Sequence, residues 1–247
     1  MLVTKLTAIA DAIRGKTGKT EGLTLDQMAT EIAGIEAGGG GGDNLLEYTV
    51  SLYMAFNNVT FEEGTELNIN LGAKTSVVNS NPFYCTFQGT KGLKSITIAC
   101  KNDPSTAISY QNFVRMSVSE YTLEKIDLTG APNLLKVSNM SRTFEYRRGL
   151  REILGEFDLT NSSTVGSIAG KCDALETIQF KAGTIRKSIS FPDSPNLTDA
   201  TIQNIVDGLA DMTGGTAPTL TLHATVGAKL TDAQKSTASA KNWTISY

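Results

Sequence analysis

A short phrase with leucine and isoleucine three residues apart recurs along the chain, and no other sequence feature constrains its fold as strongly. The phrase begins at Leu93, Leu123, Leu150 and Leu175, so the leading leucines lie 30, 27 and 25 residues apart. A phrase of this kind at intervals of about 20 to 29 residues is typical of leucine-rich repeats. One unit cannot bury its own apolar residues, whereas stacked units form a continuous core.

The repeat predicts that residues 45–195 form an irregular leucine-rich-repeat β-solenoid, in which each phrase contributes a short strand to a parallel sheet. Two further segments, Thr65 to Leu71 and Thr184 to Phe191, alternate apolar and polar residues and are predicted as additional strands. With the helices predicted at the two ends of the chain, the expected fold class is α+β.

The last part of the chain, residues 196–247, is predicted as an α/β cap over the end of the repeats, because repeat arrays need atypical terminal elements. Apolar residues at helical spacing predict a helix from Asp199 to Met212. A second helix is predicted over Leu230 to Ala240, beginning at Thr231 and Asp232. Strands are expected at Thr219 to Leu222 and Trp243 to Tyr247.

Residues 1–37 have a different pattern, which predicts a hairpin of two short amphipathic helices. Thr24 and Gln27 match a capping box at the start of the second helix. The apolar residues that form one stripe on each helix are Leu6, Ile9 and Ile13 in the first, and Leu25, Met28, Ile32 and Ile35 in the second.

A glycine-rich linker at residues 38–44 separates this hairpin from the body, and it includes the unbroken run Gly38 to Gly42. Helices this short are marginal alone, and the linker is typical of a flexible tether. We therefore expect the two stripes to serve attachment or oligomerisation. Packing of the hairpin back onto the body is the alternative.

Composition excludes several classes of function. The 22 basic and 25 acidic residues give a net charge of −3, so we expect neither nucleic-acid binding nor membrane insertion. Asp11 and Arg14 interrupt the apolar residues at the start, which is unlike a secretory signal. The cysteines at 85, 100 and 172 lack paired spacing and fit a chain made in a reducing cytosol, as core residues.

Motifs that could carry chemistry are weak, and we predict no catalytic residue, cofactor or metal site. The segment 15–20 resembles part of a phosphate loop but lacks its first glycine and follows a helix. His223 is the single histidine, and a lone histidine is more often structural. Glu152, Glu156 and Asp158 could supply a glycosidase pair, although such carboxylates usually form a solvated face.

The segment from 142 to 148 is the best candidate for a contact patch, because arginine and aromatic residues dominate binding hot spots. We expect Phe144 to lie in the core. The residues left for surface contact are Arg142, Tyr146, Arg147 and Arg148.

Two segments resemble tail-associated proteins of phages and prophages of low-GC Gram-positive bacteria. The first is the phrase from Leu6 to Arg14 with Lys16-Thr17-Gly18, similar to a module of minor tail and fibre proteins. The second, from Leu197 to Trp243, resembles the terminal cap of BspA-like leucine-rich proteins carried by such phages. The resemblance implies a structural protein without catalytic residues.

The resulting hypothesis is a non-enzymatic virion protein, made in the host cytoplasm, that docks to the tail or baseplate and presents its body for host adhesion. Expected partners are other virion proteins, sister chains in a homo-oligomer with a trimer favoured, and a host cell-wall glycan or surface protein. A head fibre or capsid decoration protein is the alternative. A bacterial surface adhesin or a wall-directed hydrolase is an alternative of another class.

Overall fold

The computed structural model describes residues 54–70, 83–100 and 107–247, all of which belong to the larger of two units of the chain, Glu47–Tyr247. The predicted hairpin at 1–37, its seven stripe residues and the linker at 38–44 lie outside the described residues, and they remain predictions.

Short strands connected by turns account for most of the described backbone up to residue 198. The strands are β1 (Thr60–Asn70), β2 (Lys91–Ala99), β3 (Ile108–Ser109), β4 (Lys125–Asp127), β5 (Val137–Asn139), β6 (Glu152–Phe157), β7 (Thr177–Phe180), β8 (Ile189–Phe191), β9 (Thr219–Leu222) and β10 (Thr244–Ser246). The helices are a 3-10 helix (Pro132–Leu135) and α1 (Asp199–Gly208), α2 (Ala224–Gly227) and α3 (Asp232–Ala240).

The recurring phrases form the main sheet, as the sequence predicted. Its strand order is β1-β2-β4-β6-β7, and every pair is parallel. Ile96, Ile126 and Ile153 lie opposite one another in register, and none is exposed. Successive side chains of a strand point to opposite faces. The isoleucines therefore face the core, and the polar residues beside them face outward.

Stacked turns form a second ladder of backbone hydrogen bonds. Five of these turns contain a non-glycine residue with a φ between 51° and 55°: Met54, Cys85, Asn112, Arg142 and Ser167. The backbone N–H groups of the first four donate to carbonyl oxygens of the next turn over 3.0–3.3 Å. Each turn thus satisfies polar groups of its neighbour, which allows the backbone here to be buried.

Aromatic rings run through the core from one turn to the next. Consecutive ring centroids are 5.1–6.4 Å apart in a chain formed by Phe56, Phe87, Phe113, Tyr110, Phe157, Phe180 and Phe191. Offset and edge-to-face rings at such distances stabilise a core beyond the burial of their area.

The predicted fold class is wrong. The described residues form a mixed α/β fold with mainly parallel strands in three sheets and three α-helices, and they show no long solenoid of leucine-rich repeats. The order of the second sheet is β3-β5 and that of the third is β10-β9-β8. The phrase determines which residues are buried, but backbone pairing decides which strands share a sheet, and that pairing divides the strands into three groups.

The secondary structure expected near the C-terminus is confirmed. Helix α1 begins at the predicted Asp199, but it ends at Gly208 instead of Met212. Helix α3 follows the cap Thr231, whose side chain and that of Gln234 form a reciprocal capping box. The third sheet also takes in β8, which precedes residue 196.

Candidate binding surface

The outward face of the five-stranded sheet carries a row of alternating charge. Its members each follow the leading leucine of one phrase: Lys94, Glu124, Arg151 and Glu176. The backbone N–H of each later member donates to the carbonyl oxygen of the member before it over 2.8–2.9 Å. Lys94, Glu124 and Arg151 are exposed and Glu176 is half-buried, whereas the leucines before them are buried. We call these four residues the charged row.

Ion pairs connect this row and the residues beside it. Lys94 Nζ lies 3.3 Å from Glu66 Oε1, and Arg151 Nη2 lies 2.5 Å from Glu176 Oε1. These partners are substantially exposed, and ion pairs between exposed side chains contribute little to stability. The charged groups can therefore exchange an internal partner for a ligand at small cost.

An open groove of about 450 Å³ crosses the sheet at the charged row. We call it the first groove, and it is lined by Glu66, Asn68, Lys94, Ser95, Thr97, Glu124, Lys125, Arg151 and Glu152. Lys125 Nζ lies 3.5 Å from Asp127 Oδ2 and 4.0 Å from Glu152 Oε2. Three acidic and three basic residues line the groove, so its charges balance.

A second open groove, of about 470 Å³, lies where the strands end. It is lined by Thr129, Pro132, Leu135, Lys136, Gly155, Glu156, Asp158, Gln179 and Lys181. Gly155 has a φ of +121°, and a Cβ built on it would lie 3.1 Å from Leu135 Cδ1. The 3-10 helix that carries Leu135 can therefore pack close to strand β6, because position 155 has no side chain.

Polar side chains at fixed positions stand on the wall of this second groove. Glu156 of β6 and Gln179 of β7 are opposite each other in the sheet. Lys181 Nζ lies 3.1 Å from Asp158 Oδ2, and the N–H of Thr160 donates to Asp158 Oδ1 at 3.0 Å. Burial raises the pKa of Asp158, but the hydrogen bonds from Thr160 and the cation of Lys181 outweigh it and hold the pKa below its usual value.

The predicted contact patch is only partly at the surface. Arg142 is exposed, and Tyr146 is half-buried with a φ of 67°. Arg148 is half-buried, donates to Ser119 Oγ at 2.8 Å and forms an ion pair with Asp173. Phe144 is fully buried, as predicted. The surface role of Arg142, Tyr146 and Arg148 remains a prediction.

For Arg147 the expected surface contact is wrong, because its side chain is 1% exposed. The guanidinium donates to the carbonyl oxygens of Phe87, Thr90 and Val114 over 2.6–3.1 Å. It also donates to Glu120 Oε2 at 2.7 Å. Arg147 therefore connects three successive turns, and it is unavailable to a ligand. Arg147 and Arg148 are adjacent and identical, so the local sequence does not indicate which of the two is buried.

The three carboxylates considered for hydrolysis are divided between the two grooves. Glu152 lines the first groove, whereas Glu156 and Asp158 line the second. Asp158 is ion-paired, and its pKa is lowered, whereas a general acid needs a raised pKa.

The other weighed motifs have structural roles or lie outside the described part. His223 caps α2, where its Nδ1 accepts the N–H of Thr225 at 3.2 Å. Cys172 is buried and its Sγ lies 3.0 Å from Phe144 O, and burial raises the pKa of this thiol. In the described residues no group of three metal-binding side chains occurs. The phosphate-loop-like segment 15–20 is not described.

Sequence reasoning missed both the charged row and the second groove. A signal for the row was present, because each leading leucine is followed by a charged residue and the sign alternates from phrase to phrase. The second groove had no such signal. It depends on contact between the 3-10 helix and Gly155, which come from different parts of the chain.

No helix within residues 54–70, 83–100 and 107–247 is long and apolar enough to cross a membrane.

Comparison with other proteins does not identify a ligand for this surface. No known family model, curated protein or solved structure matches the chain.

Proposed function

We propose that this chain is a non-enzymatic structural protein of a phage virion, a tail- or baseplate-attached fibre or receptor-binding protein. Its N-terminal segment would attach to other virion proteins, and the five-stranded sheet would face the host. The observation that carries the proposal is the polar surface of the five-stranded sheet, where three members of the charged row line the first groove and residues at the ends of β6 and β7 line the second. The sequence resemblance of residues 6–18 supports the virion context.

The sheet suits recognition because its polar side chains stand on a rigid base. Ile126 and Ile153 are buried directly beneath the outward residues of β4 and β6. A base of this kind limits the entropy that the side chains lose when they bind a ligand. We expect one exposed, charge-balanced site to bind its ligand weakly. Several linked copies in a virion would raise the effective concentration of the remaining sites once the first has bound.

The location is tested by electron microscopy of purified virions labelled with an antibody against the full chain. We expect label at the tail tip or baseplate. Label on the capsid would replace the tail assignment with a head fibre or decoration protein. Absence of the protein from purified virions would contradict the proposal altogether.

Attachment is tested with two proteins, the full chain and a chain that starts at Asn44. Light scattering should show an oligomer for the full chain and a monomer for the shorter chain, because the predicted apolar stripes lie in residues 1–37. If both are monomers, self-assembly through this segment is wrong. Binding of each chain to purified tails then tests docking on another virion protein.

A further inference from the structure

The second groove combines an apolar floor with polar groups on its wall, unlike the first. We propose that it binds one pyranose ring of a neutral saccharide, so that the adhesion site recognises a glycan. This inference rests on the proposed host-adhesion function, and it specifies the chemistry that the sheet recognises.

The floor matches the apolar side of a sugar ring. Leu135 is buried against Gly155, and Pro132 lies at the start of the same 3-10 helix. Because Gly155 has no side chain, Leu135 and Leu128 pack directly over it, and the exposed ring of Pro132 supplies the apolar surface of the groove. The C–H groups of a pyranose can cover Pro132 and remove its apolar surface from water.

The wall matches the hydroxyl groups of the ring. Glu156 and Gln179 are paired in register on adjacent strands, with Glu156 exposed and Gln179 half-buried. A carboxylate accepts hydrogen bonds, whereas an amide both donates and accepts them. Two planar groups side by side can therefore bind neighbouring hydroxyls, each of which is both a donor and an acceptor.

The charges favour a neutral ligand. Lys136 and Lys181 balance Glu156 and Asp158 in the lining, and Lys181 is paired with Asp158 at 3.1 Å. An anionic polymer would meet the carboxylates as well as the lysines. The volume of about 470 Å³ lies within the range of about 300–1,000 Å³ that is usual for small-ligand sites.

Two alternatives fit less well. The first groove is lined only by charged residues, asparagine, serine and threonine, so it offers no apolar floor. An extended peptide gains affinity by hydrogen bonding along a free sheet edge. The second groove includes the edge strand β7, but Asn204 already accepts the N–H of Phe180 and donates to its carbonyl oxygen, so the backbone of Phe180 is not free for an added strand.

Saturation-transfer NMR on the full chain tests the proposal. The probes are the methyl glycosides of glucose, galactose, rhamnose and N-acetylglucosamine, each at millimolar concentration. We expect saturable binding of at least one. Glu156→Ala and Gln179→Ala should each weaken that binding about tenfold or more, because each removes hydrogen bonds to the ring. Glu63→Ala, an exposed glutamate of β1 outside both grooves, is the matched control and should bind normally.

Thermal unfolding of each variant shows whether a loss of binding comes from the altered groove or from a destabilised fold. If either variant unfolds early, Gln179→Glu provides the same test with a side chain of similar size. Binding that is unchanged in both groove variants, or absent for every probe, overturns the proposal. If no probe binds but the protein is found in virions and adsorbs to host cells, only this inference fails. If the protein is absent from virions, the proposed function fails independently.

Discussion

Arg147 Nη1 lies 2.7 Å from Glu120 Oε2, and both side chains are buried, with exposures of 1% and 7%. Glu120 also accepts hydrogen bonds from the N–H and the hydroxyl of Thr122. Burial raises the pKa of Glu120, but these bonds and the charge of Arg147 lower it below its usual value. A charged pair inside the stack of turns therefore has nearly all of its polar groups satisfied.

Removal of the arginine should be costly, because it leaves the Glu120 carboxylate buried without its counter-charge. We expect Arg147→Met to reduce the free energy of unfolding by about 3–5 kcal/mol. Urea denaturation measures this change. Arg142→Met, at an exposed arginine in the same turn, is the control and should change stability by about 0.5 kcal/mol or less. Equal effects of the two variants would contradict the structural role of Arg147.

Gly92 at the start of β2 should not tolerate a side chain. Its φ is +82°, and a Cβ there would lie 2.2 Å from the carbonyl oxygen of Phe61 on β1. We expect Gly92→Ala to cost about 2–5 kcal/mol, from the left-handed backbone and the displaced strand. The control is Gly166→Ala, for which the nearest atom is 3.7 Å away. Thermal unfolding compares the two, and a Gly92→Ala midpoint equal to that of the control would refute the close approach.

The capping box of α3 should contribute measurably to the stability of the C-terminal region. Thr231 accepts the N–H of Gln234 at 3.2 Å, and the Gln234 side chain accepts the N–H of Thr231 at 2.9 Å. We expect Thr231→Ala to lower the free energy of unfolding by about 0.5–2 kcal/mol. Ser236→Ala, in the exposed middle of the same helix, should be neutral or slightly stabilising. A loss as large at Ser236 would show that the cap is not the cause.

Acid should destabilise the protein through carboxylates whose folded pKa is lowered. Asp127, Asp158 and Asp193 each have a lowered pKa, in which hydrogen bonds and a neighbouring lysine outweigh the effect of burial. Their stabilising contribution is fully present above the unfolded pKa of about 3.9, and it is lost as pH falls through the lower folded value.

A variant at one of these positions tests the assignment. Asp158→Asn should cost on the order of 1 kcal/mol at pH 7, where the wild-type carboxylate accepts the Thr160 and Lys181 hydrogen bonds. The difference from wild type should shrink as pH falls below about 3.9. Glu63→Gln, at an exposed glutamate of β1, is the control and should leave the free energy of unfolding at pH 7 nearly unchanged. A gap between wild type and Asp158→Asn that stays constant with pH would argue against the lowered pKa.

The sequence by itself determined the positions of most strands and the buried residues within them. The leucine and isoleucine of each phrase are almost completely buried, as at Leu123 and Ile126, because the apolar pattern is local and repeats. The start of α3 was equally readable, since Thr231 accepts the N–H of Gln234 three positions away.

Only the tertiary structure decided how the strands are divided among three sheets, and there the sequence-based fold class was wrong. It also buried Arg147 and left Arg148 half-buried at the surface, although the two are neighbours with the same charge. The burial of Arg147 depends on Glu120 and on the carbonyl of Phe87, 27 and 60 residues away. The second groove likewise depends on Leu135 meeting Gly155. Contacts between distant residues arise from backbone pairing across the sheet, and a local pattern of apolar and polar residues does not encode that pairing.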